Sequence, residues 1–133
     1  IGKAKVKREG ADISLIAHGR AVVTSLAAAD ILADKYNINA EVLDLRSIRP
    51  LDEQAIMESV RKTHRAIYVE ENKPFCGIGA QVSSMIMEQA FDDLDAPVLR
   101  ITSADAPAFY SPAIEKLQLP APEEIVERAL TIC

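Results

Sequence analysis

Short apolar runs of strand length alternate along this chain with longer segments whose apolar residues recur at helical spacing. No other feature restricts the fold as much. Apolar strands between amphipathic helices build a mostly parallel sheet covered on both faces. Right-handed crossovers then gather the strand C-termini on one rim and the strand starts on the other.

The strand runs are "ISLIA" (13–17), "AEVLDL" (40–45), "RAIYVE" (65–70) and "PVLRITS" (97–103). Between the first two, the spacing predicts a helix over 20–36, with Val22, Leu26, Ala29 and Ala33 stacked. Asp52 is placed to cap a helix through about Lys62 that buries Ile56 and Val60. After Gly79 comes a helix with Val82, Met85, Ile86 and Ala90 on one side. Pro112 starts a short helix, and Pro122 opens the last, with Glu123 and Glu124 in its first turn. Near the start, "AKVKRE" meets a turn containing Gly10 and Asp12, so it is expected to pair with 13–17 as a hairpin.

With 133 residues and neither repeats nor linkers, the chain reads as one domain, residues 1–133. Its 49 % apolar and 26 % charged residues are those of a globular protein, and no apolar run has the length of a membrane helix. The N-terminus lacks a signal-peptide core and an initiator methionine, so a piece of a longer chain is expected. A net charge of −5 without clustered cations argues against nucleic-acid backbone binding and is compatible with a basic protein partner. With 5 % aromatics and no tryptophan, a base-stacking platform is also disfavoured. Cys76 and Cys133 have no disulfide-framework or metal-ligand spacing, which fits a reducing compartment.

The rim of strand C-termini, which small ligands prefer in such sheets, collects Gly19, Arg46, Glu70, Glu71 and Asp105. Glu41 and Asp95 fall on the opposite rim. The glycines of "CGIGAQV" suggest a dinucleotide cradle, but Val82 stands where the third small residue belongs and the preceding loop is too long. Gly77 and Gly79 are therefore expected to relax the backbone where a loop enters a helix. His18 and His64 stand in no metal-ligand pattern; a structural histidine bonded to a loop is the expectation for His18. Cys76 reads as a buried or inert cysteine. Glu70 and Glu71 read as solvated carboxylates or salt-bridge partners. Arg46 and Arg49 offer forks for a carboxylate or phosphate, but pairing with Asp44, Asp52 or Glu70 is favoured. No nucleophile, base and oxyanion hole assemble. A free-standing α/β nucleotide-binding enzyme using the rim around Arg46 and Gly79 stays open as an alternative.

Four stretches carry a family resemblance: "IGKAKVKREG", "LDLRSIRPLD", "VEEN" with "GIGAQVSSMIME", and "DLDAPVLRITSADAPAFYSP". In order and over nearly the whole chain, they resemble the C-terminal, transketolase-type domain of pyruvate dehydrogenase β-subunits. Branched-chain 2-oxo acid and acetoin dehydrogenase β-subunits share much of the pattern. The resemblance implies a three-layer α/β/α domain with a mostly parallel five-stranded sheet and one antiparallel edge strand. It implies an α2β2 enzyme that decarboxylates pyruvate and acetylates the lipoyl group of an acyltransferase core. Thiamine diphosphate and magnesium would lie between the α-subunit and the N-terminal domain of β, with none bound by this domain. It further implies assembly with the α-subunit and a second β-subunit, and docking to the basic subunit-binding domain of dihydrolipoyl acetyltransferase through Asp95 and Glu41. The implied compartment is the bacterial cytoplasm or the mitochondrial matrix; no nucleic-acid or membrane partner is implied.

Overall fold

A sequence of alternating apolar strands and two-sided helices has to bury both sheet faces, and the computed structural model shows how. It describes residues 1–108 and 110–133, so Phe109 of the "AFYSP" stretch lies outside the described residues. The strands are β1 (Lys5–Arg8), β2 (Ile13–Ala17), β3 (Ala40–Asp44), β4 (Ala66–Val69) and β5 (Leu99–Ile101). The helices are α1 (Ala21–Tyr36), α2 (Glu53–Thr63), α3 (Ile78–Ala90), α4 (Pro112–Gln118) and α5 (Pro122–Leu130), with a 3-10 turn at Phe91–Asp93. Sheet order is β1-β3-β2-β4-β5, parallel throughout except for the antiparallel β1–β3 pair.

Side-chain alternation divides the core into two. Ile13, Leu15, Ala17, Val42, Ile67, Val69 and Ile101 point to the face covered by α1 and α5. Ile16, Leu43, Ala66 and Tyr68 point to the face covered by α2 and α3. Every residue of β2 and β4 is buried, as expected for central strands covered on both sides. The three-layer architecture is that of the sequence expectation.

The expected hairpin is not formed. β1 pairs with β3, placing the charged "KVKR" strand at the sheet edge, where unpaired backbone and solvated lysines are tolerated. Both edges of β2 are occupied, by β3 and β4. The connection from β1 to β2 therefore crosses the start of β3. Gly10 allows this close passage: a Cβ there would lie 2.3 Å from the Ala40 carbonyl carbon. Asp12 secures the crossing, donating its N–H to the Asn39 carbonyl (3.0 Å) and accepting the Asn39 N–H (2.7 Å).

The buried stripe of α1 is Ala21, Val22, Ser25, Ala28, Ala29 and Leu32, rotated from the expected one, with Leu26 and Ala33 only half-buried. The small residues let the helix lie close to the sheet, and Leu32 reaches down between them. Helix α3 buries Val82, Met85, Ile86 and Ala90 as its spacing predicts. Helices α1 and α2 end on left-handed residues, Asn37 (φ 54°) and His64 (φ 63°), in place of the usual glycine.

Asp52 caps α2 by accepting the Ala55 N–H (3.2 Å), and it also accepts the Ala4 N–H (2.9 Å) from the approach to β1. The Ala4 bond, with those from Ala55 and the Lys3 charge, holds its carboxyl below the ordinary aspartate value despite partial burial. A depressed folded-state pKa stabilises above the unfolded value and loses that contribution as pH falls through the folded value. We expect Asp52→Ala to cost about 1 kcal/mol near neutrality. In urea melts across an acid series, the difference from the parent should shrink as Asp52 becomes protonated.

Candidate functional site

The strand-end rim is where a small-molecule site is expected, and its centre is filled by Glu70. This residue follows β4 directly, and its side chain is 0 % exposed. A buried carboxylate needs donors. The Gly79 N–H, in the first turn of α3, donates to both carboxylate oxygens (3.3 and 3.2 Å). Asn72 Nδ2 donates at 3.3 Å and Arg100 Nη2, from β5, lies at 3.5 Å. Arg100 Nη2 also donates to the Pro74 carbonyl (2.7 Å), fastening the loop between β4 and α3. The positive end of the helix, a guanidinium and an amide thus surround one negative charge.

That arrangement explains the glycines, and differently from the expectation. Gly77 has φ −75°, and Gly79 lies within the helix, so neither needs the conformational freedom of glycine. A Cβ on Gly77 would sit 2.4 Å from Glu70 Oε1 and 2.9 Å from the Lys73 carbonyl oxygen; one on Gly79 would meet Tyr68 Cδ1 at 2.8 Å and Glu70 Oε1 at 2.9 Å. The glycines make room for a carboxylate of the protein itself. A phosphate would find this helix N-terminus already occupied by negative charge, so the nucleotide-binding alternative loses its cradle. Of the two expectations for Glu70, the salt bridge is formed, with Arg100, while the solvated alternative fails because the side chain is buried. Its neighbour Glu71 is exposed and lies 3.9 Å from Arg20.

The remaining candidates on this rim disperse. His18 Nδ1 shares a hydrogen bond with the Tyr68 hydroxyl (2.8 Å), so its partner is a central strand, not a loop. Burial, reinforced by the Glu70 charge, pushes the Tyr68 phenol well above its ordinary pKa and keeps it neutral. Cys76 is exposed, with φ 59°, contrary to the buried reading. Arg46 meets Asp44 only through its backbone, the N–H donating to Oδ1 (3.0 Å), and among the described residues neither the Arg46 nor the Arg49 guanidinium pairs with a carboxylate. Asp44 lies 3.9 Å from Lys7, and Asp52 and Glu70 are engaged as described. No group of three or more His, Cys, Asp or Glu among the described residues could hold a metal. With the Glu70 carboxylate bonded to the Gly79 N–H, a diphosphate does not fit at the N-terminus of α3.

The opposite rim is built from charge. Backbone bonds stitch the strand starts together: Ser14 N–H to the Arg65 carbonyl (2.8 Å), and Asp95 N–H to the His64 carbonyl (2.8 Å). Arg65 spans the rim, its guanidinium donating to the Asp12 carbonyl (3.3 Å) and lying 3.8 Å from the exposed Asp95 carboxylate. Glu41 differs from Asp95. Its side chain is 1 % exposed and bonded to Lys62 Nζ, which also reaches Glu9 (3.3 Å). The Glu41 bond, opposed by partial burial and aided by Glu9, raises the Lys62 pKa. Partial burial, with Asp12 adding to it and Arg65 opposing it, raises the pKa of the Cys133 thiol.

Fold and rims together define a three-layer α/β/α domain with an antiparallel edge strand, whose one fully buried carboxylate at the strand-end rim braces its own architecture. The sequence model of the family described as "Transketolase, C-terminal domain" matches residues 2–125, and the chain belongs to that family. It is 51 % identical over 133 residues to the mitochondrial pyruvate dehydrogenase E1 component subunit beta of Drosophila melanogaster, covering 99 % of this chain and 36 % of the relative. It is 45 % identical over 132 residues to the acetoin:2,6-dichlorophenolindophenol oxidoreductase subunit beta of Bacillus subtilis, covering 99 % and 38 %. A solved structure described as a split gene transketolase, inactive beta4 tetramer, superposes with TM-score 0.84 at 25 % identity, over 98 % of this chain and 41 % of that one. The chain spans about a third of the length of the curated relatives it matches.

If the glycines serve Glu70, their cost on substitution depends on it. Gly77→Ala should destabilise the chain by about 1–3 kcal/mol, as for overpacking. In a Glu70→Ala background the same substitution should cost less by at least about 0.5 kcal/mol, read as the coupling energy of a double-mutant cycle in denaturant.

Proposed function

We propose that this chain is the C-terminal domain of a pyruvate dehydrogenase β-subunit and that its work is assembly and docking. The observation that carries the reading is the near-half identity to pyruvate dehydrogenase β-subunits over almost the whole chain. The complete enzyme would be an oxidoreductase component that decarboxylates pyruvate and acetylates a lipoyl group. Thiamine diphosphate and magnesium would be held between the α-subunit and the N-terminal domain of β, with none bound by this domain. Its partners would be the α-subunit, a second β-subunit and the basic subunit-binding domain of dihydrolipoyl acetyltransferase. It would work in the mitochondrial matrix or the bacterial cytoplasm.

Docking would use the rim of strand starts. Asp95 supports this by standing exposed there, held only loosely by Arg65. Glu41, being buried, would act only indirectly, by neutralising the half-exposed Lys62 ammonium that would otherwise repel a basic partner at the same rim. A second reading, acetoin as substrate, has the Bacillus subtilis relative in its favour.

The experiment uses the complete β-subunit assembled with its α-subunit. Asp95→Ala should weaken binding to the acyltransferase binding domain by about 1–3 kcal/mol, as when one partner of an interfacial charge pair is truncated. Pyruvate decarboxylation with an artificial acceptor should persist. Equal affinity of variant and parent would remove Asp95 from the docking contact. Turnover of acetoin in place of pyruvate would favour the second reading.

A further inference from the structure

Helix α3 buries Gly79, Val82, Met85, Ile86 and Ala90 against the sheet. Two large apolar residues lie outside this stripe: Met87, 43 % exposed, and Phe91, 62 % exposed. They stand on either side of the end of α3 and line one cleft together. Core packing therefore does not account for them. Together with Leu94, Ala96 and Pro97 they line an open cleft of about 470 Å3.

Among the described residues the only charged groups lining this cleft are Asp92 and Asp95. Neighbouring Asp93 is turned to Arg61 (3.5 Å), while Asp92 makes no ion pair among the described residues. The cleft is thus an apolar floor with two acidic lips, one of them the carboxylate proposed above for docking. Apolar contact surface with an aromatic anchor beside complementary charge is how binding hot spots are built.

We infer that this cleft is the apolar anchor site for a basic protein module, which seats an aliphatic or aromatic side chain on Met87 and Phe91 while flanking cations meet Asp92 and Asp95. The inference rests on the docking reading and extends it: the charges orient the partner, and the cleft holds it. The two contributions differ in their response to salt. A contact at an exposed carboxylate is screened at high ionic strength, whereas burial of Phe91 is not.

The test titrates the assembled α- and β-subunits with the isolated acyltransferase binding domain at low and high salt. Phe91→Ala should weaken binding at least about tenfold, as for a hot-spot aromatic, and the loss should persist at high salt. Phe91→Leu should recover much of the affinity. The loss from Asp95→Ala should shrink with salt. Because Phe91 is more than half exposed, its variants should keep the parent's unfolding midpoint. If Asp95→Ala weakens binding and Phe91→Ala does not, the cleft is no anchor site and the docking reading stands. If neither has an effect, both fall. If Phe91→Ala instead lowers the oligomeric state of the component, the cleft joins copies of this chain and the inference is overturned.

Discussion

One buried negative charge organises the end of the sheet. Glu70 leaves β4 and turns back under the first turn of α3, where an N–H of the helix and the Arg100 guanidinium receive it. Moving a carboxylate out of water is costly, so its donors have to be held in place. Gly77 and Gly79 are small so that the helix can approach the carboxylate, and Pro74 gives its carbonyl to the same arginine. The loop from Glu71 to Cys76, the position of α3 and the end of β5 therefore depend on one another. Tyr68 shares in this through its ring against Gly79 and its hydroxyl toward His18.

This solution separates the two rims. At the strand C-termini, where related topologies receive ligands, the space at the helix N-terminus is filled by the protein's own acid. At the strand starts, ionic groups stay near solvent: Lys62 bridges a buried and an exposed glutamate, and Arg65 ties the chain crossing at Asp12 to Asp95. At the first rim the N-terminus of α3 is filled by Glu70, which braces the domain. The second offers charges and, beside Asp95, an apolar cleft.

Much of the architecture was legible because it follows from local periodicity. Strand and helix order, the Asp52 cap, the proline starts of α4 and α5 and the buried stripe of α3 all depend on neighbours within a turn or two. The errors share a different cause. The "KVKR" strand was assigned to the partner nearest in sequence, yet β2 had no free edge once two crossovers had placed β3 and β4 beside it. Gly10 looked like a hairpin turn because a glycine needed for backbone passage reads the same as one needed for bending. For Glu70 the solvated and the salt-bridged readings stayed open together, because charge alone does not announce that a helix N-terminus and an arginine 30 residues away will enclose it.

By itself the sequence determined the layers: alternating apolar strands and one-faced helices admit few arrangements other than a sheet covered on both sides. It also placed Asp95 and Glu41 on a common rim, since strand direction follows from the crossovers. The tertiary structure alone decided which of these acids meets solvent, because burial depends on what packs above a residue and not on its place in a strand. It also decided the purpose of the paired glycines. They accommodate Glu70, an atom-scale fit between segments that only folding brings together.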